Sequence, residues 1–204
     1  KSKENDKYKP SSPYSATKAG ADHLINSYVR TYKLPILISN CCNNFGPCQF
    51  PEKLIPKTIY SLINNKNIPV YGKGINQREW IFVEDHCDGL LKIFKKGKIG
   101  ESYNIGSSYV LSNLNLIKKI INIYYSVYKS KKQKVKIQFV KDRPGHDLRY
   151  ALNSNKIKRE LKWKLNTDLN KGLLKTIKWY CENPKFFGKN KRRIFNKRIG
   201  LIND

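Results

Sequence analysis

The sequence predicts an α/β fold, and three observations carry that prediction. Short apolar runs of strand length alternate along the chain with longer segments whose apolar residues recur at helical spacing. The stretch LPILISNCCNNFG (34–46) is an apolar strand running into a polar loop, and a helix opens soon after at Pro51. That is the order of a βα unit, whose site lies at the strand's carboxyl end. Apolar residues make up 39% of the 204 and aromatic residues 12%, enough to build a packed core.

Residues 13–32 read as the first helix, capped by Ser11 or Ser12 and with Pro13 in its first turn. Ala16, Ala19, Gly20, His23 and Ser27 form a stripe of small residues along it that would let another element come close. Gly20 costs the helix ~1 kcal/mol unless close packing uses it. A second helix runs from Pro51 to about Asn65, with Leu54, Ile55, Ile59, Leu62 and Ile63 on one side. IPVYG and REWIFV follow as strands, and Glu84-Asp85 open a helix through Lys96, acidic residues suiting its amino end. SYNIG (102–106) is a short strand, residues 113–128 an apolar helix and VKIQFV an alternating strand. After the loop KDRPGHD come helices near 154–161 and 168–182, then a basic tail without a firm pattern.

A complete dinucleotide-binding fold begins with a strand, a glycine-rich turn and a helix, and neither GxGxxG nor GxxGxxG occurs in the sequence. There is also no methionine, so Lys1 is not a translation start. The expectation is a portion of a larger protein. The five cysteines, Cys41, Cys42, Cys48, Cys87 and Cys181, show no CxxC pairing, which points to reduced, packed thiols and to no metal site. No run of 18 apolar residues occurs, and the Lys-Ser-Lys-Glu start lacks an apolar signal core. A soluble cytoplasmic protein without a membrane span is expected.

A net charge of +26 would ordinarily point to nucleic acid. Yet only 8 of the 41 basic residues are arginine, the residue whose planar fork reads phosphates and bases. Lysine, asparagine and isoleucine are enriched together along the whole chain, as in a global compositional bias rather than a local footprint. Only Lys185 to Arg198 is locally dense, with seven basic residues interleaved with Phe186, Phe187 and Phe195. The composition argues against nucleic acid as the partner.

Three Tyr-x-x-x-Lys pairs occur where chance placement gives roughly two, so the spacing alone proves nothing. Position separates them. Tyr14 and Lys18 share one helix face, and Tyr14 sits in the first turn, where the partial positive charge favours a phenolate. Tyr125/Lys129 and Tyr128/Lys132 stand at the far end of a helix, where the dipole has the opposite sign. A phenol ionises near pH 10, so a base working near neutrality needs ~4 kcal/mol of help. An ammonium about 4 Å away supplies on the order of 4 kcal/mol at an effective dielectric of 20.

The string SSPYSATKAGADHL followed in order by NNFGP, PEKLIP, PVYGKG, REWIFVEDH, YNIG and DRPGHD resembles the nucleoside-diphosphate-sugar branch of the extended short-chain dehydrogenase/reductases. Within that branch it is most similar to the dTDP-glucose 4,6-dehydratases, and the likeness runs from Ser11 to Tyr180. It implies tightly held NAD and a substrate, dTDP-glucose, converted to dTDP-4-keto-6-deoxyglucose: carbon 4 is oxidised, water leaves across carbons 5 and 6, and the hydride returns to carbon 6.

Residue by residue, the resemblance makes Tyr14 the base for the 4-hydroxyl proton and Lys18 its activator and a donor to the nicotinamide ribose. Asn44 matches the position facing the cofactor, and Asn43 the one facing the sugar nucleotide. Lys53 and Leu54, with Pro69, Val70 and Tyr71, match segments lining the nucleotide pocket. Arg78, Asn113, Arg143, Pro144, Gly145, His146 and Asp147 match the remainder, the arginines near the diphosphate. Guanidinium forks suit a diphosphate, a flat tyrosine face suits a base, and a Pro-Gly turn brings backbone close to a ligand.

The resemblance implies an incomplete Rossmann-type NAD domain at 1–50 and about 80–107. A smaller mixed α/β sugar-nucleotide domain would occupy about 51–79 and 108–184, followed by the basic tail at 185–204. It implies a homodimer and an amino-terminal part carrying the glycine turn and a Thr-Asp-Glu segment for the dehydration. On this reading the 204 residues alone are inactive. Cys42, Phe45, Cys48 and the Ser107-Ser108 pair depart from the pattern.

Simpler roles stay open beside these. Arg78 and Arg143 could be surface ion-pair residues, Tyr71 strand filling, and Asn43-Asn44 a turn at a strand end. His23 and His86 are read as structural, while His146 stands between the two roles. The rival functions are a nucleotide-sugar epimerase or decarboxylase and a basic nucleic-acid-binding remnant.

Overall fold

The computed structural model describes residues 1–128, 135–142 and 147–188. In chain order it contains α1 (Pro13–Tyr32), β1 (Ile38–Cys41), β2 (Asn43–Phe45), α2 (Leu54–Ile63), β3 (Ile68–Tyr71), β4 (Gln77–Phe82) and α3 (Val83–Lys96). Then follow β5 (Ser102–Ile105), β6 (Val110–Ser112), α4 (Asn113–Val127), β7 (Ile137–Val140), β8 (Arg149–Tyr150), α5 (Asn155–Leu161), α6 (Leu169–Glu182) and α7 (Lys185–Gly188). Two compact units result. Unit 1 holds Lys1–Asn44, Glu79–Val110 and Arg149–Asn166; unit 2 holds Phe45–Arg78, Leu111–Leu148 and Thr167–Asp204.

Unit 1 is built on the parallel pair β1–β5, in register from Ile38 opposite Ser102 to Cys41 opposite Ile105. A parallel pair needs a crossover and helices on its faces, and α3 and α5 supply them. Gly89 lets α3 lie close: a Cβ there would stand 3.1 Å from the Ile105 side chain and 3.3 Å from the Trp163 ring nitrogen. Below it, Cys42, Ile81, Ile93, Tyr103, Ile105, Leu152, Ile157, Leu161 and Trp163 form the core. Trp163 Nε1 donates to the Asp85 carbonyl at 3.2 Å, and Asp85 Oδ1 accepts from Asn166 N at 2.8 Å, so the segment after α5 is tied to α3. The sequence reading put 149–166 with the second domain. Leu152, Ile157, Leu161 and Trp163 bring it into unit 1 instead, a long-range packing that local periodicity does not encode.

Helix α1 begins at Ser12, whose hydroxyl accepts from Ser15 N at 3.2 Å while Ser15 Oγ accepts from Ser12 N at 3.0 Å, a reciprocal cap. None of its twenty residues is buried. Gly20 of the expected close-packing stripe is open, since a Cβ there would meet nothing within 4 Å, while His23 of the same stripe meets the Tyr8 ring edge-on at 5.4 Å between centroids. The half-buried line is Ser12, Ser15, Ala19, Asp22, Ile25 and Val29.

Unit 2 pairs β3 with β7 in parallel, from Ile68 opposite Ile137 to Tyr71 opposite Val140, and packs α2, α4 and α6 together. Ile55, Ile59 and Leu62 of α2 are buried as their spacing predicts. Tyr60, Tyr180 and Phe187 stack into an aromatic cluster, and the Tyr180 hydroxyl donates to the Gln49 carbonyl. Two very short strands, β6 and β8, fall in segments that the sequence reads as loop, and Asn43-Asn44 lie in β2 rather than in a loop. Of the tail, Lys185–Gly188 forms α7 and the remainder lies outside the described residues. Among the described residues no helix is long and apolar enough to cross a membrane.

One carboxylate braces unit 1. Glu79 is 0% exposed, and its two oxygens accept from the backbone amides of Ser108 and Leu152, the latter at 2.7 Å. A side chain on Gly106 would stand 2.8 Å from the same carboxylate, which explains the glycine there. Glu79→Gln turns one acceptor into a donor facing an N–H and should destabilise the protein by about 2–3 kcal/mol in denaturant unfolding.

Candidate functional site

The residues singled out in the sequence fall into one group in each unit. In unit 1, Tyr14 and Lys18 stand one turn apart at the start of α1, on the face that i and i+4 positions share. Tyr14 is 73% exposed and Lys18 is exposed, so the phenol is open to an incoming ligand. Asn43 and Asn44 follow directly on the carboxyl end of β1. This is the edge of a parallel sheet at which α/β folds place their ligands. Asn44 Nδ2 donates to Cys41 Sγ at 3.4 Å.

A residue that the sequence reading did not single out joins this group. The Tyr150 hydroxyl donates to the Cys41 carbonyl at 3.3 Å, across 109 positions of sequence. Burial pushes the Tyr150 phenol up to about 12, and the nearby Cys41, Cys42, Glu79 and Tyr14 add to the shift in that order. Tyr150 therefore keeps its proton well above neutral pH. Cys42 is 3% exposed, and its thiol is likewise pushed up to about 12, chiefly by burial and then by the Glu79 charge. Cys41 is raised by burial against the opposing bond from Asn44. These thiols are protonated packing groups near neutral pH. Only the juxtaposition of β8 and β1 reveals Tyr150; its one sequence signal was its place just after the DRPGHD loop.

In unit 2 the loop between β3 and β4 is the organising feature. Gly72 has φ +53° and its amide donates to the Val140 carbonyl at 2.8 Å; a Cβ there would lie 2.7 Å from Asp142 Oδ2. Tyr71 is thereby held beside the end of β7. Gly74 and Asn76 offer their carbonyls to the amides of Leu114 and Asn113, both at 3.0 Å, and Ser112 Oγ accepts from Asn115 N at 3.1 Å. The amino end of α4 is thus satisfied internally and is not an open anion site. Asn76 Nδ2 donates to the Asp147 carbonyl at 3.2 Å, and Gln77 N to the Leu148 carbonyl at 2.7 Å.

One loop therefore connects Tyr71, Asn113 and Asp147, with Arg78 just beyond it in β4 and half-buried. Arg78 donates to the Gln77 carbonyl at 2.7 Å. Lys53 caps α2 and Leu54 opens it. Pro69 and Val70 lie in β3 opposite Gln138 and Phe139, with Val70 buried. Arg143, Pro144, Gly145 and His146 lie outside the described residues. Among the described residues no group of His, Cys, Asp and Glu is arranged to hold a metal ion.

Comparison with known proteins adds a family to this geometry. The family model for GDP-mannose 4,6 dehydratase matches residues 1–176. The dTDP-glucose 4,6-dehydratase of Escherichia coli is 46% identical over 180 residues, which cover 88% of this chain and 50% of that protein. The enzyme of the same name from Neisseria gonorrhoeae is 48% identical over 181 residues, 86% of this chain and 52% of its own length. The dTDP-glucose 4,6-dehydratase of Streptomyces venezuelae, solved with NAD bound, superposes with a TM-score of 0.83 at 40% identity, covering 90% of this chain and 55% of that one. The chain spans about half the length of the curated relatives it matches.

The Tyr150 shift gives a pH dependence. A phenol whose value lies near 10 when unfolded and near 12 when folded costs stability as pH rises from 10 to 12, because only the unfolded form ionises there. Tyr150→Phe should make that alkaline decline shallower, as followed by urea midpoints between pH 9 and pH 11.5.

Proposed function

The chain belongs to the GDP-mannose 4,6 dehydratase family, and from that premise we propose that it forms part of an NAD-dependent dehydratase acting on dTDP-glucose. The observation that carries this reading is the placement of Tyr14 and Lys18 in the first two turns of α1 together with the Asn43-Asn44 pair at the carboxyl end of β1. The named relatives support the same substrate and the same cofactor.

The residues present suit the nicotinamide end of that cofactor: an open phenol and ammonium on one helix face, and an amide at the strand end. No glycine-rich turn for the pyrophosphate occurs in the 204 residues. NAD, when bound, supplies a hydride acceptor that later returns the hydride. The Tyr14 phenolate, held by the charge of Lys18, would accept the 4-hydroxyl proton and become the phenol, while Lys18 donates to the ribose. Asn44 faces the cofactor and Asn43 the sugar.

Unit 2 binds the nucleotide. Lys53, Leu54, Pro69, Val70 and Tyr71 belong to the segments lining the nucleotide pocket, Tyr71 offering a flat face to the base, with Asn113 and Asp147 set by the same loop. Arg78 and Arg143 neutralise the diphosphate, and Pro144, Gly145, His146 and Asp147 match the rest of that part of the site. Because the hydride returns to the product, the net change is loss of water and the enzyme is a cytoplasmic lyase. The full-length protein is proposed to be a homodimer, and the 204 residues alone to lack turnover.

Removing only the Tyr14 hydroxyl tests this. In the full-length protein, Tyr14→Phe should lower kcat for dTDP-glucose by about 10²–10⁴-fold while NAD remains bound, measured by appearance of the 4-keto product. A wild-type rate in that variant sinks the assignment.

A further inference from the structure

The way the chain enters α1 deepens that reading and rests on it. Tyr8, in the segment before the helix, reaches its third turn: the hydroxyl donates to Asp22 Oδ2 at 2.6 Å, and the ring meets His23 edge-on at 5.4 Å between centroids. Extended chain from Tyr8 to Ser12 reaches about 14 Å. The helix rises ~15 Å between Ser12 and Asp22, so the intervening residues lie back along it. Pro10 suits that course, because the residue before a proline avoids helical geometry. Burial pushes the Tyr8 phenol up to about 12, and the bond to Asp22 and the Asp22 charge add to the shift. The hydroxyl therefore keeps its proton and remains a donor.

Asp22 also stands four positions after the exposed Lys18, the spacing at which an ammonium and a carboxylate on a helix surface can pair. Such a pair would draw the Lys18 ammonium a turn away from Tyr14 and set a negative charge against it. In the structure Asp22 is bonded to Tyr8 instead. A lysine placed before its acid is the weaker order on a helix, and a hydrogen bond to an ionised group is the stronger contact of the two. Direction matters as well. Helical residues are ~100° apart, so Lys18 lies about 40° to one side of Asp22 and His23 about 100° to the other. Packed on His23, Tyr8 pulls the carboxylate away from Lys18. We propose that Tyr8 is a positioning residue that holds Asp22 off Lys18 and so leaves the Lys18 ammonium to serve Tyr14. Among the described residues, the titratable groups brought to this stretch of α1 are Tyr8 and Tyr150, the latter near enough to Tyr14 for their charges to interact. On the helix itself they face Lys18, Asp22 and His23.

In the full-length protein, Tyr8→Phe keeps the ring on His23 and removes only the donor. It should move the acidic limb of the pH profile of kcat for dTDP-glucose upward, so that kcat on that limb falls about fivefold while the plateau above it is unchanged. Adding Asp22→Asn removes the carboxylate that would capture Lys18 and should return the limb to its wild-type place, a rescue that general loosening of the segment does not produce. Asp22→Asn alone leaves Tyr8 in place and serves should Tyr8→Phe fail to fold. Its limb should stand no higher than that of the wild type. A wild-type limb in Tyr8→Phe, a loss that Asp22→Asn does not restore, or an upward shift in Asp22→Asn alone overturns the inference and leaves the functional reading standing. A full-length wild-type protein that neither holds NAD nor converts dTDP-glucose sinks both.

Discussion

A carboxylate sealed from water fixes the architecture of unit 1. Glu79 lies in β4, yet its oxygens serve amides 29 and 73 positions further on, at Ser108 and Leu152. Both segments need it. The backbone after β5 turns through Ser108 at φ +72°, where the strand ladder no longer offers partners, and Leu152 enters the core from a chain that has just left β8. Charge-assisted bonds to backbone amides offset the desolvation of the carboxylate. Ser107 completes the arrangement by donating to the Trp80 carbonyl at 2.6 Å and accepting from Tyr109 N.

That brace determines where the candidate residues at the end of β1 stand. Leu152 held by Glu79 places Tyr150 two residues earlier, and Tyr150 reaches the Cys41 carbonyl at the end of β1. The other end of the same route is anchored by Asn104, 2% exposed, whose amide N–H donates to Glu4 at 2.9 Å and whose side chain donates to the Ser2 carbonyl at 3.1 Å. The strand ends of β1 and β5 are thus enclosed by polar contacts to two remote parts of the chain, residues 2–4 and Tyr150. Asn43 and Asn44 emerge from that enclosure, which is what a site needing fixed amides requires.

The local signals in the sequence were read with success wherever one element decides its own form. Ser12 with Pro13 starts α1, Glu84-Asp85 start α3, and the apolar line Ile55, Ile59, Leu62 faces inward from α2. Two things were not legible. The destination of 149–166 depends on Trp163 and Ile157 meeting Gly89 and Ile105, a fit between surfaces that no periodicity records. The contribution of Tyr150 depends on a hydroxyl reaching a carbonyl from a two-residue strand too short to leave a pattern. Of the candidate site, the motif order singled out Tyr14, Lys18, Asn43, Asn44 and the loop around Tyr71. The contacts that hold them rigid, from Glu79, Asn76 and Gly72, came only with the fold.

The exposure of α1 sets a condition on any chemistry at Tyr14. A 4 Å phenolate–ammonium pair gains about 1 kcal/mol in bulk water against roughly 4 kcal/mol at an effective dielectric of 20. At 73% exposure the pair stands close to the first limit. Only about a quarter of the ~4 kcal/mol that a neutral-pH base requires is then present in the bare surface. The remainder has to come from covering the face with low-dielectric material and from a second positive charge beside the phenol. The proposed oxidised nicotinamide would do both at once, its ring excluding water from the helix face and its charge adding to that of Lys18. On this account the proposed base is completed by what covers the helix face, and the bare surface alone does not supply it.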